Sequence, residues 1–357
     1  MSQSEFDSED KKILNLLQSD FPLVAEPWAA IADKVGISEQ EVIDRIIELK
    51  RKNVVRQIGA IFDTRRLGYS STLVAMRFPE DKLDAAAQLL NLHPGISHNY
   101  ARNGQFNLWF TLAVPPGMTV ADEVERLGKI TGAEATRLLP TIRFFKIGVN
   151  FDMEKKKSDA KTYFVPDSPD KSSKKQNTDP GEGWNKAQEL SDLDVAYIKE
   201  MQDDLEMVSR PFDAMAERLG MTVDELFAYG EKMVERRLMR RYSAVLYHRR
   251  AGFSANAMVV WKVPEERAQE VGEIMATSPA VTHCYQRPTY DDWDYSHFTM
   301  VHATTKEECE EIARDIEQKT GLSERLLLYS TREYKKTRVR YFVEDEFNIE
   351  QLETVNA

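Results

Sequence analysis

Cysteine is nearly missing from this chain: Cys284 and Cys309 are the only two in 357 residues. Two thiols build neither a disulfide framework nor a Cys-based metal cage, and their scarcity fits a reducing cytoplasm. Long apolar runs are missing too. No stretch reaches the roughly 18 residues of a membrane-spanning helix, and the opening MSQSEFDSEDKK lacks the apolar core of a signal peptide. A cytoplasmic protein with no membrane partner is expected. There is no basic excess either. With 48 Lys+Arg against 59 Asp+Glu, the formal net charge is −11, the wrong sign for a protein whose main work is gripping phosphate backbones. No His, Cys and carboxylate group shows metal-ligand spacing, so no metal centre is expected. What remains, 42% hydrophobic and 30% charged, is an ordinary globular composition with room for two or more domains.

The chain is one module written twice. At an offset of 184, Pro27, Gly36, Glu41 and Arg56 meet Pro211, Gly220, Glu225 and Arg240, and Arg65, Arg66, Gly68 and Ser70 meet Arg249, Arg250, Gly252 and Ser254. His98, Tyr100 and Arg102 of HNYARNG meet His283, Tyr285 and Arg287 of HCYQRPT at an offset of 185. Phe110-Thr111 then meets Phe298-Thr299, and Arg143 and Lys146 meet Arg332 and Lys335. Between the halves lies a Lys-, Ser-, Asp- and Pro-rich stretch with too little apolar content for a core, which reads as a flexible tether.

Each half opens with three helical signals. In the first, SEDKKILNLLQ is amphipathic, and EPWAAIADKVG has Pro27 at its first position and Gly36 as its stop. The third, SEQEVIDRIIELKRK, begins with a Ser38-x-x-Glu41 capping box and offers Val42, Ile43, Ile46, Ile47 and Leu49 for burial. The second half repeats this with Thr222-x-x-Glu225. A strand follows each set, which makes a winged helix-turn-helix. The remainder of each half runs βαββαβ, a ferredoxin-like sandwich. The expected fold is thus α+β, a tandem repeat packed as an intramolecular pseudo-dimer that can dimerise further. The expected boundaries are winged helix-turn-helix units at 1–62 and 190–246, ferredoxin-like domains at 63–151 and 247–345, the tether at 152–189 and a tail at 346–357.

Two features call for chemistry. Residues 236–250 hold six arginines, Arg236, Arg237, Arg240, Arg241, Arg249 and Arg250, more than solubility explains in an acidic protein. The two His-x-Tyr-x-Arg triplets place three polar side chains on one strand face, because side chains alternate along a strand.

A winged helix before a ferredoxin-like domain resembles the Lrp/AsnC transcription regulators, whose third helix enters the major groove. Here that helix carries Glu39, Glu41, Asp44 and Glu48 against Arg45, and phosphates would repel it, so no nucleic-acid partner is expected. With RQIGAIFDTRRLGYSSTLVA, HNYARNGQFNLWFTL, YHRRAGFSANAMVVW, HCYQRPTYDDWDYSHFTMVH and REYKKTRVRYF, the chain more closely resembles the siroheme decarboxylases, as a fusion of their two subunits. That resemblance implies loss of CO₂ from the C12 and C18 acetates of siroheme, giving 12,18-didecarboxysiroheme. It implies no cofactor beyond the substrate's iron, and leaves open a bound haem.

The residue types suit such a substrate. Guanidinium forks hold carboxylates, and Arg56, Arg102, Arg240, Arg241, Arg249 and Arg287 are candidates. Phe106, Trp109, Phe253, Trp261 and Phe298 are candidate walls for a flat apolar ring. Imidazole is the natural proton donor near neutral pH, which nominates His98 and His283, with Tyr100 and Tyr285 as hydrogen-bonding partners or plain sheet residues. His248 is a candidate for propionate binding, iron ligation or structure, and His297 for substrate binding, although His297 and His302 alternate poorly with one face. His93, beside Pro94 in a loop, is expected at the surface. Which half holds the active site stays open. A tetrapyrrole sensor and a transcription regulator are the competing readings.

Overall fold

The computed structural model describes residues 6–147, 151–152, 157–158, 186–246 and 255–343. Most of the expected tether, the tail, and the stretch holding His248, Arg249, Arg250 and Phe253 lie outside the described residues.

The first half begins with α1 (Ser8–Ser19), α2 (Pro27–Val35) and α3 (Glu39–Arg51). Pro27 sits at the first position of α2, where an N–H has no helical partner, and Gly36 ends it at φ 89°, a conformation side chains disfavour. Two expectations fail in α3. Its capping box is half formed: Ser38 accepts from the Glu41 backbone, but the Glu41 carboxylate pairs with Arg45. Ile47, at the edge of the apolar stripe, stays 46% exposed. Strand β1 (Val55–Phe62) follows.

Then come β2 (Ser70–Arg77), α4 (Glu80–Asn91), β3 (Ile96–Arg102), β4 (Leu108–Val114), α5 (Val120–Thr131), β5 (Ala135–Leu139) and β6 (Arg143–Ile147). Two short strands, β7 (Phe151–Asp152) and β8 (Lys157–Ser158), pair across the expected start of the tether. The second half runs α6 (Asp192–Met201), α7 (Phe212–Arg218), α8 (Val223–Glu235), β9 (Met239–Leu246), β10 (Ala255–Trp261), α9 (Ala268–Thr277), β11 (Val281–Gln286), β12 (His297–Ala303), α10 (Lys306–Thr320) and β13 (Arg325–Lys336). Here the Thr222–Glu225 capping box is complete.

The halves interlock at two levels. β1 and β9 pair antiparallel into a ribbon, over one apolar core drawn from both helix-turn-helix units, with Trp28 and Tyr197 among its fully buried members. The ferredoxin-like sheets have orders β5-β2-β4-β3 and β13-β10-β12-β11, and they merge into nine strands. The closing segment of the first sandwich was expected as one strand, but it breaks at Pro140, which has no N–H for a ladder. β5 pairs with β2, while β6 crosses to β11 of the second half. Its counterpart β13 is unbroken, pairing first with β10 and then with β3.

β5 and β6 therefore stand at opposite ends of the sheet order, joined by residues 140–142. Such a link spans about 14 Å at most, so the sheet must curl until its ends meet. The helices cover the outside. Inside lies a second apolar cluster with Phe106, Trp109, Trp293, Phe298 and Leu328. The repeated lysines are structural: Lys146 Nζ donates to Ser278 O, and Lys335 Nζ to Asn91 O and His93 O. Each satisfies carbonyls left over at the end of a helix.

Candidate active site

A cavity of about 540 Å³ lies between the inner face of the curled sheet and the β1–β9 ribbon. Both triplets open into it. In β3, His98 and Tyr100 are half-buried toward the cavity, while Ser97 and Asn99, which alternate with them, are buried. In β11, His283 and Tyr285 alternate in the same way with Thr282 and Cys284. A register shift precedes each histidine, between Ile96 and His98 and between Val281 and His283.

The two triplets are built alike. Ser97 Oγ lies 3.0 Å from His98 Nδ1, and Thr282 Oγ1 lies 3.1 Å from His283 Nδ1. Ring centroids are 6.4 Å apart for His98–Tyr100 and 5.9 Å for His283–Tyr285. Arg102 lies over Tyr100 at 5.5 Å and Arg287 over Tyr285 at 4.9 Å, within cation–π range. Arg102 Nη1 donates to Leu328 O, and Arg287 Nη1 to Leu139 O. Thr282 Oγ1 donates to Met300 O, so it accepts from His283 Nδ1–H. That tautomer leaves the lone pair on Nε2.

Burial is the first cause that lowers both imidazoles to about 4, with Lys336 next for His98 and Lys146 next for His283. Surrounded by protein groups alone, both are neutral at pH 7. Burial also lowers Arg287 to about 10 and raises the Tyr285 phenol.

The other candidates divide sharply. Trp109, Phe298 and Arg241 line the cavity. Arg241 has no ion-pair partner among the described residues. Its pKa is lowered, by burial and then by Arg240. Arg240 instead pairs with Asp63 at 2.6 Å and is 59% exposed. Arg56 is held behind β13 by Glu333 and the Lys336 carbonyl. Neither reaches the main cavity, because neighbours on a strand point to opposite sides.

His297 is a correction. Phe298 faces inward, so His297 faces α9, where its Nε2 meets Ala268 O at 2.9 Å and its Nδ1 meets Ser296 Oγ at 3.0 Å. It is fully buried and stacked on Phe145, a core histidine lowered to about 4 by burial first. Trp261 is likewise in the helix-side core rather than a wall. His93 is buried, not superficial: it bonds Glu123 and accepts from Gly95 N.

The pairing Phe110-Thr111 with Phe298-Thr299 is one residue out. The ladders place His98 opposite Thr111 and Tyr100 opposite Trp109, but His283 opposite Met300 and Tyr285 opposite Phe298. Thr111 thus corresponds to Met300 and Trp109 to Phe298. A one-residue slip reverses the face.

Two cavity cations, Lys336 and Arg338, escaped the sequence reading, and His302, expected to alternate poorly with one face, does line the cavity. His302 shares its face with Phe298 and Met300, as period-two spacing from Phe298 requires. Burial, then His283, lower it to about 3. Lys336 and Arg338 come from a segment read only as a closing motif. Arg338 donates to Gly59 O, Ala60 O and Ser243 O, pinning both ribbon strands. The described lining therefore holds Arg102, Arg241, Arg287, Arg338 and Lys336, and no carboxylate.

Comparison with known proteins agrees with this architecture. The family described as AsnC-like ligand binding domain matches residues 66–146 and 250–335, and the siroheme decarboxylase NirDL-like HTH domain matches 10–56 and 194–240. The chain is 40% identical over 352 residues to the siroheme decarboxylase of Hydrogenobacter thermophilus, covering 96% of each. It is 44% identical over 151 residues to the siroheme decarboxylase beta subunit of Methanosarcina barkeri, covering 42% of this chain and 99% of that one. A separate subunit there thus corresponds to part of a fused chain here. The crystal structure of the siroheme decarboxylase NirDL in co-complex with an iron-uroporphyrin III analogue superposes with a TM-score of 0.67 at 34% identity, covering 98% of this chain and 100% of that one. With relatives this similar along nearly its whole length, and both kinds of domain present twice, the chain belongs to the siroheme decarboxylase family.

Proposed function

We propose that this chain is a carboxy-lyase that removes CO₂ from the C12 and C18 acetates of siroheme, giving 12,18-didecarboxysiroheme. One observation carries the reading: five cations and, among the described residues, no carboxylate line a largely apolar cavity in a chain of net charge −11. A flat, apolar ring bearing many carboxylates fits that lining.

In each step the acetate C–C bond breaks, CO₂ leaves, and the electron pair stays on carbon, where the macrocycle delocalises it. A proton then completes the methyl group. His98 and His283 are the assigned donors. The protein groups around them keep both neutral, whereas a carboxylate beside an imidazole favours imidazolium. The substrate's own charges thus generate the donor form. Arg102, Arg241 and Arg287 orient carboxylates, Tyr100 and Tyr285 hold the arginine and imidazole planes apart, and Trp109 and Phe298 contact the ring.

Anaerobic incubation with siroheme, followed by mass analysis of the extracted tetrapyrrole, tests this. Loss of two CO₂ is expected. Siroheme that binds and emerges unchanged points to a sensor and sinks the proposal.

A further inference from the structure

A side chamber of about 270 Å³ adjoins the main cavity and shares Ile61, His98 and Arg338 with it. Its wall includes Ser97, Thr64 and Tyr341, and the last two are hydrogen-bonded to each other at 2.7 Å. Arg240 and Thr337, both exposed, also line it, so it reaches the surface. His98 stands in the partition. Its Nδ1 meets Ser97 Oγ at 3.0 Å, and that hydroxyl also meets Thr111 Oγ1 at 2.8 Å.

The other triplet lacks this arrangement. His283 is not part of the chamber wall. Its Nδ1 partner, Thr282, is fully buried and ends on the Met300 carbonyl, an acceptor with no proton to pass on.

The reaction itself makes the difference matter, and the inference rests on the decarboxylase reading. Each acetate R–CH₂–COO⁻ becomes R–CH₃ and CO₂, so two decarboxylations consume two protons. A macrocycle seated in the main cavity displaces water from it, and a proton arriving later needs another way in. We infer that the side chamber is the proton inlet of the site, feeding His98 through Ser97. A solvent proton reaches Ser97 Oγ, the Ser97 hydroxyl proton passes to His98 Nδ1, and the proton on Nε2 goes to the substrate carbon. His98 thereby passes on one solvent proton with substrate in place and ends as the Nδ1–H tautomer, whereas His283 has no such supply.

The test compares Ser97→Ala, Ser97→Thr and Thr337→Phe in single-turnover decarboxylation of pre-bound siroheme, in H₂O and D₂O. Ser97→Ala is expected to slow the step about tenfold, to raise its solvent isotope effect and to leave siroheme affinity unchanged. Ser97→Thr restores the rate, because its hydroxyl reaches the same Nδ1. Thr337→Phe plugs the mouth and slows the step without touching His98. Wild-type rates in both Ser97→Ala and Thr337→Phe overturn the inlet. So does a slowed Ser97→Ala with an unaltered isotope effect, which makes Ser97 a mere support for the ring. Wild-type protein that leaves siroheme unchanged overturns the decarboxylase reading instead, a separate failure.

Discussion

Arg102 of the first half donates to the backbone carbonyl of Leu328, 226 residues further on, at 2.8 Å. Arg287 returns the contact to Leu139 of the first half. Each triplet is anchored on backbone from the opposite half, and the strand exchanges of β6 and β13 do the same for the sheet. Neither half can complete the cavity alone. Half-chains separated within 159–185 are expected to be inactive singly and to recover siroheme binding when mixed. Titration of absorbance with each half and with the mixture checks this; binding by one half alone contradicts it.

Arg241 and Arg240 are adjacent in sequence but face different spaces. Arg241→Ala removes a cavity cation that has no ion-pair partner among the described residues, and a lost charge-assisted hydrogen bond costs about 1.5–3 kcal/mol. Siroheme affinity should fall by roughly ten- to a hundredfold. Arg240→Ala should leave affinity near wild type, since that side chain is bound to Asp63. Equal losses in both variants would remove the distinction.

The histidines should separate by what they disturb. His98→Ala and His283→Ala are expected to lower turnover by about a hundredfold or more with siroheme still bound. His297→Ala leaves the Ala268 carbonyl without its buried donor and should destabilise the fold by about 1–3 kcal/mol, with affinity retained by the folded fraction. Thermal melts and ligand titrations on the three variants read this directly. Full turnover in both His98→Ala and His283→Ala removes the donor assignment.

Acid sensitivity follows from the same buried rings. His98, His283 and His297 are each held at about 4, against roughly 6.5 when unfolded. Below the unfolded value the unfolded chain binds the proton first. Their contribution is therefore full above about pH 6.5, declines as pH falls toward 4, and then levels off. The melting temperature of the free protein should drop between pH 7 and pH 5. Bound siroheme should blunt the drop, because carboxylates beside His98 and His283 favour their charged forms. A melting temperature that is flat across this interval excludes the coupling.

Much of the architecture was legible in the residues because local rules produce it. Pro27, Gly36 and the cap at Ser38 mark helix ends, the period-two pattern makes His98, Tyr100 and Arg102 share a face, and the offset of 184 marks the repeat. The same alternation would have excluded His297 once Phe298 was taken as inward, and would have admitted His302. The Phe110-Thr111 match concealed this, because identity of letters ignores which side of the sheet a residue faces.

The sequence by itself determined the module and the triplets, since these depend on neighbours two to four residues away, and the duplication, since the same residues recur at a fixed offset. Only the tertiary structure decided that both triplets share one cavity. Pro140 sends β6 to the other half, the sheet curls on itself, and Arg338 pins the ribbon above it. Those are contacts between residues far apart in the chain, and no local pattern encodes which of two faces a distant strand will cover.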